Sequence, residues 1–181
     1  MRNPKVLFIT QSAVIAALYV VLTLIANALG LANQAIQVRF SEALTILPYF
    51  TPAAIPGLFV GCIISNILTG CLPLDTVFGS LATLIGALVT YYIAHGFKKP
   101  GQEGYYKASK IAKWLCPIPP IVANMIIVPQ VLLRVYEAPG TLLYFTVTVG
   151  IGEVISCFVL GMILLFALEP RKSAIFFPSM Q

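Results

Sequence analysis

Residues 6–38 read VLFITQSAVIAALYVVLTLIANALGLANQAIQV, without one charged side chain. About 20 apolar residues in helix cross the hydrocarbon of a bilayer. The run is long enough for that. It also outlasts the roughly 7–15-residue apolar core of a cleaved signal peptide, so with Arg2 and Lys5 before it the stretch reads as a first span. The same silence recurs over residues 43–74, 76–97 (His95 taken as neutral) and 114–133. Hydrophobic residues make up 59% of the chain and charged ones 9%, against about 25% charged in soluble domains. A chain of 181 residues cannot hide that much apolar surface in a water-facing fold. The runs do not alternate polar and apolar as barrel strands do, and helices satisfy their own backbone in lipid. The expectation is an all-α polytopic membrane protein forming one integral membrane domain over residues 1–181.

Turn residues and prolines divide the chain into six segments: about 5–29, 38–49, 53–69, from a cap at Asp75 or Thr76 to 96, 114–135 and 141–168. Asn33, Gln34 and Gln37 form an uncharged polar loop after the first. The second is short, and Pro48, Pro52 and Pro56 break it from the third. Prolines 117, 119 and 120 disturb the start of the fifth segment. Pro129 is placed to break that segment, or only to kink it, and to free the carbonyl of Met125. Six crossings put Arg2, Lys5, Lys98, Lys99, Lys107, Lys110, Lys113, Arg171 and Lys172, nine of the eleven basic residues, on one side. Basic excess in short loops marks the cytoplasm. Both termini and a basic loop at about 98–113 are therefore expected to be cytoplasmic, in the cell membrane. Five crossings would split these clusters. The lysines serve orientation, so no nucleic-acid surface is expected.

Ionisable groups within spans are costly and face a cavity or a partner. Glu153 sits inside the sixth segment. Its carboxylate can accept two hydrogen bonds from a ligand with adjacent N–H donors, or it can pair with Arg39, Arg134 or an asparagine. Arg39 and Glu42, three apart, share a face if the second segment is helical there, either as binding residues or as an interfacial ion pair. Asn27, Asn66 and Asn124 suit the mixed edge of a heterocycle, and suit helix-to-helix bonds equally. Arg134, Tyr136 and Glu137 read as an interface belt, as do Trp114, Tyr105 and Tyr106 on the other side. Small residues at four-residue spacing allow close helix approach: Ala13 with Ala17, extended by Ser12 and Ala16; Gly57, Gly61 and Ser65; Ala82 and Gly86.

The chain has no G-x-x-x-x-G-K-[ST] loop, no H-E-x-x-H and no G-x-S-x-G. Cys62, Cys71, Cys116 and Cys157 show no paired spacing, and the one histidine, His95, is expected at the headgroups. No metal, no cofactor and no catalytic centre is expected. Uphill transport would draw its energy from a coupled ion or from another subunit. No repeat relates residues 1–96 to 114–168, which weighs against an inverted-repeat carrier.

Residues 38–62, VRFSEALTILPYFTPAAIPGLFVGC, with residues 78–87, FGSLATLIGA, resemble the QueT family, and the likeness extends over roughly residues 5 to 170. The resemblance implies a six-helix substrate-binding (S) component of an energy-coupling factor (ECF) transporter. It implies uptake of a queuosine precursor, a 7-deazaguanine such as the 7-aminomethyl form. The partners implied are a shared transmembrane coupling subunit and two ATPase subunits. Ala13 and Ala17 match the A-x-x-x-A stretch with which similar components dock the coupling subunit. The match adds weight to Arg39, Glu42 and Glu153 as site residues. A self-sufficient secondary carrier for another small polar solute, and an assembly subunit without ligand, are the rival readings.

Overall fold

A computed structural model describes residues 4–31, 36–96 and 109–176, without the side chains of residues 173 and 174. Arg2, Asn33, Gln34, Lys98, Lys99, Tyr105, Tyr106 and Lys107, and with them most of the 98–113 loop, lie outside the described residues.

Every regular element among the described residues is helical. Helix α1 runs Pro4–Ala28, a 3-10 helix Phe40–Tyr49, α2 Ala54–Leu68, α3 Pro73–His95, α4 Lys110–Leu115 and α5 Ile118–Arg134. Then α6, Leu142–Glu153, a π-helical turn, Val154–Leu160, and α7, Gly161–Leu168, follow without a break, with Glu169–Arg171 and α8, Lys172–Phe176, beyond. Among the described residues, four helical stretches are long and apolar enough to cross a membrane: Pro4–Ala28, Pro73–His95, Lys110–Arg134 and Leu142–Arg171. Helix α2, with 15 residues, is apolar but shorter.

The second segment departs from an ordinary α-helix. It is a ten-residue 3-10 helix with eight residues buried. At about 2.0 Å per residue it extends roughly 20 Å, as far as a longer α-helix would. It packs against α1, α2, α3, the π-turn and α7, so it lies at the centre of the bundle. A 3-10 helix is narrower than an α-helix, which suits a crowded centre, and Pro48 inside it supplies no N–H to an α-helical ladder.

Around this centre α1 packs on α2, α2 on α3, α3 on α5 and α5 on α6. The α1–α2 contact rests on missing side chains. A Cβ on Gly61 would stand 2.8 Å from Tyr19 Cβ and 3.0 Å from the Ala16 carbonyl, and one on Gly57 2.8 Å from the Ser12 carbonyl. The Gly57–Gly61–Ser65 stripe therefore serves packing within the chain. The stripe read on α1 divides: Ser12 and Ala16 turn toward α2, while Ala13 and Ala17 are exposed.

Three local expectations are corrected. Pro129 does not break its segment: α5 continues through it, and Pro117 instead separates α4 from α5. The N-cap of α3 is Leu72 with Pro73 at the first turn, so neither Asp75 nor Thr76 is the cap. His95 is 6% exposed, its ring 4.9 Å from that of Tyr91, because Tyr91, one turn earlier, covers it.

Candidate functional site

The 3-10 helix carries Glu42 into the interior, where the residue is 3% exposed. Its Oε1 accepts a 2.5 Å hydrogen bond from the Tyr19 phenol of α1. Its Oε2 has no hydrogen-bond partner among the described residues. Opposite stands Glu153, the last residue of α6, where the helix widens into the π-turn. The thiol of Cys157 lies 3.1 Å from Glu153 Oε2, and Asn124 of α5 hydrogen-bonds the same carboxyl. One oxygen of Glu42, one of Glu153 and Sγ of Cys157 all lie within 4.8 Å of one another. π-turns inside α-helices concentrate at functional sites. Here the turn aims Cys157 back at the carboxyl one residue set earlier.

The loop before the 3-10 helix is held down by backbone. A Cβ on Gly152 would run into the Gln37 carbonyl, so only glycine lets that loop lie on α6. The Arg39 N–H then donates to Ser156 Oγ at 3.1 Å. Arg39 itself is extended, just before the helix. Among the described residues neither Arg39 nor Arg134 forms an ion pair with Glu42 or Glu153; the contact expected of Arg39 and Glu42 is not closed, and Arg39 attracts both acids through space instead.

These groups line two chambers that share Gln37, Arg39, Asp75 and Val128. The inner chamber, about 30 Å³, is bounded by Arg39, Glu42, Cys62, Thr83, Asn124 and Glu153 among others. The outer one, about 360 Å³, is bounded by Asn27, Arg39, Asn66, Asp75 and Tyr136 among others. Small-molecule sites span about 300–1,000 Å³. Asn27 ends α1, Thr69 follows α2, Asp75 begins α3 and Tyr136 follows α5. The cavity therefore opens at the end of the bundle remote from Pro4.

All six polar residues singled out from the sequence, Arg39, Glu42, Asn27, Asn66, Asn124 and Glu153, face this cavity. Sequence reasoning missed Asp75, read as a cap, and Tyr136, read as a belt residue. The Tyr136 phenol donates to Asp75 Oδ2 at 2.8 Å and accepts from the Leu72 N–H at 3.2 Å, tying the chain after α5 to the start of α3. Burial, chiefly, pushes that phenol up to about 12, so it keeps its proton at neutral pH. Asp75 had a signal: it is the one acid between two long uncharged runs, the criterion that flagged Glu153. All four cysteines are free.

A membrane-embedded bundle of apolar helices around an acidic, amide-lined cavity defines a multi-pass transport protein. The family model described as QueT transporter matches residues 9–170, and the chain belongs to that family. It is also similar to the queuosine precursor transporter QueT of Lactococcus lactis subsp. cremoris (strain MG1363), with 35% identity over 85 residues. That match covers 47% of this chain and 50% of the relative, so the chain spans about half the length of the curated relative it matches. No solved structure matches.

Proposed function

We propose that this protein is the substrate-binding component of an ECF-type importer, which takes up a 7-deazaguanine queuosine precursor while separate subunits hydrolyse ATP. The observation that carries the reading is the acid- and amide-lined cavity of about 360 Å³ inside an apolar bundle, in a chain of the QueT transporter family. A 7-deazaguanine is flat and has a mixed donor and acceptor edge, which Asn27, Asn66, Asp75 and Arg39 can pair. Its size suits the outer chamber.

In this reading the chain crosses the cell membrane six times, with the short 3-10 helix and α2 as the second and third crossings. Both ends and the 98–113 loop face the cytoplasm, where basic residues collect, and the cavity opens outward. The domain is single and integral throughout. Ala13 and Ala17, exposed on a helix only 17% buried across its most apolar window, form the face that meets the coupling subunit. Small residues permit the close approach that helix docking in lipid needs.

The test is direct. Purified protein should bind 7-aminomethyl-7-deazaguanine stoichiometrically without ATP, and vesicles should take it up only when a coupling subunit and ATPases are added. Ion-driven uptake by this chain alone would instead establish a self-sufficient secondary carrier. No binding of any 7-deazapurine at micromolar concentration would end the substrate assignment.

A further inference from the structure

We propose that the seam between α3 and α5, toward the end of the bundle where the cavity opens, holds one anionic phospholipid on its lipid face, with the headgroup phosphate on Arg134 and an acyl chain along Phe78, Ile126, Ile127 and Val131. This lipid site lies outside the cavity of the proposed function and requires only that the bundle sit in a bilayer. Toward the opposite end Gly86 lets the two helices touch: a Cβ there would stand 2.7 Å from Pro120 Cα. Farther along the same seam they leave a groove of about 310 Å³, bounded by those four apolar residues with Gln130 and Arg134 among others. One turn of an α-helix, about 5.4 Å long and about 10–12 Å across with side chains, exceeds that volume, so the groove takes a hydrocarbon chain rather than a helix.

The order of groups along α5 carries the assignment. Ile126, Gln130 and Arg134 are spaced four apart, so they share one face, and each lies about 6 Å beyond the last at about 1.5 Å per residue. From the middle of the helix to its end that face reads hydrocarbon, amide donor, cation. A phospholipid lying alongside reads acyl chain, ester carbonyl, phosphate in the same sequence. The Gln130 side chain borders the groove and makes no hydrogen bond among the described residues. An amide left so beside hydrocarbon is costly, and an ester carbonyl accepts from it. Arg134, exposed in the last turn of α5, forms no ion pair among the described residues, not even with Glu137 three residues on. Its guanidinium fork matches a phosphate. A headgroup of net negative charge cancels the arginine, whereas a zwitterionic one brings an ammonium of its own against it, which selects the anionic class.

Native mass spectrometry of the full-length protein in detergent tests this with phosphatidylglycerol, phosphatidylcholine and glycerol phosphate offered in turn. One phosphatidylglycerol should be retained per chain, about five- to tenfold more tightly than phosphatidylcholine. Glycerol phosphate, which has no acyl chain, should not be retained. Arg134→Gln should bring the two lipids to within about twofold of each other, and Arg134→Lys should keep part of the preference, since the charge stays and the fork is lost. Ile126→Trp fills the groove from an exposed position and should weaken both lipids in similar proportion. Arg171→Gln, beyond α7 at the opposite end of the bundle, should leave the preference as it was. Equal retention of the two lipids by the unaltered chain, or an equal loss of preference in Arg134→Gln and Arg171→Gln, would mean general attraction of basic residues to the interface and would overturn the proposal. Glycerol phosphate held as tightly as the lipid would overturn it too, in favour of a free anion. Melting temperatures are measured alongside, and if Arg134→Gln does not fold, Arg134→Lys and Ile126→Trp decide.

Discussion

Helix α1 and the 3-10 helix Phe40–Tyr49 are both apolar, yet they occupy opposite environments. The most apolar window of α1 is 17% buried, while eight of the ten residues of the 3-10 helix are buried. What distinguishes them is where polar atoms go. The 3-10 helix brings a carboxylate, Glu42, to the centre of the bundle and finds it a partner in Tyr19. Helix α1 spends one stripe, Ile15, Tyr19, Thr23 and Ala26, on the interior and leaves the rest for lipid or protein. One element makes the site and the other presents a surface.

That division can be broken at either end. The largest effect is expected on the outward stripe: Ala13→Trp with Ala17→Trp should lower uptake in the assembled importer by about 100-fold or more, since packing of small residues is what permits close docking. Ligand affinity of the isolated chain should stay within about threefold. A parallel loss of binding would show that the stripe supports the fold rather than a partner.

Next comes the backbone contact that seats the site. Gly152→Ala places a Cβ against the Gln37 carbonyl, and overpacking of this kind costs about 1–3 kcal/mol. Affinity should fall about tenfold or more, with a lower melting temperature. An unchanged Kd would mean that the Gln37–Arg39 loop does not need α6.

Tyr19→Phe removes the donor to Glu42 Oε1 and should cost about 1.5–3 kcal/mol of stability, the range for hydrogen bonds to charged groups. Thermal unfolding in detergent reads it directly. No change in melting temperature would show that Glu42 finds its solvation elsewhere.

The smallest effect belongs to the mouth. Tyr136→Phe deletes the bond to Asp75, and a partly exposed hydrogen bond is worth about 0.5–1.5 kcal/mol. Ligand release should quicken by about two- to tenfold, measured by stopped flow, with stability lowered by no more than that amount. A slower release would mean that the Tyr136–Asp75 bond holds the site open instead of closing it.

Much of this site was legible because charge is costly in lipid. Arg39, Glu42 and Glu153 stand out against uncharged neighbours, and all three reach the cavity. The asparagines were legible for the same reason. Asp75 and Tyr136 were not, because a polar group near the end of a span has water as an alternative partner, and only contact between α3 and the chain after α5 tells the two cases apart. The break expected at Pro129 is not made: α5 runs on through it to Arg134, a continuity that local sequence does not fix because freed backbone groups in a bundle find other partners.

The sequence by itself determined that the chain lives in a bilayer, that its elements are helices, and which side chains are too polar to face lipid. Each of these follows from transfer free energy, a property of residues taken singly or in short runs. Only the tertiary structure decided that Phe40–Tyr49 is a buried 3-10 helix, that Glu42 meets Glu153 across more than one hundred residues of chain, and that the stripe on α1 splits between packing and exposure. Those outcomes depend on how helices approach one another, which is set by the shape of facing surfaces such as Gly61 against Tyr19 and Gly152 against Gln37.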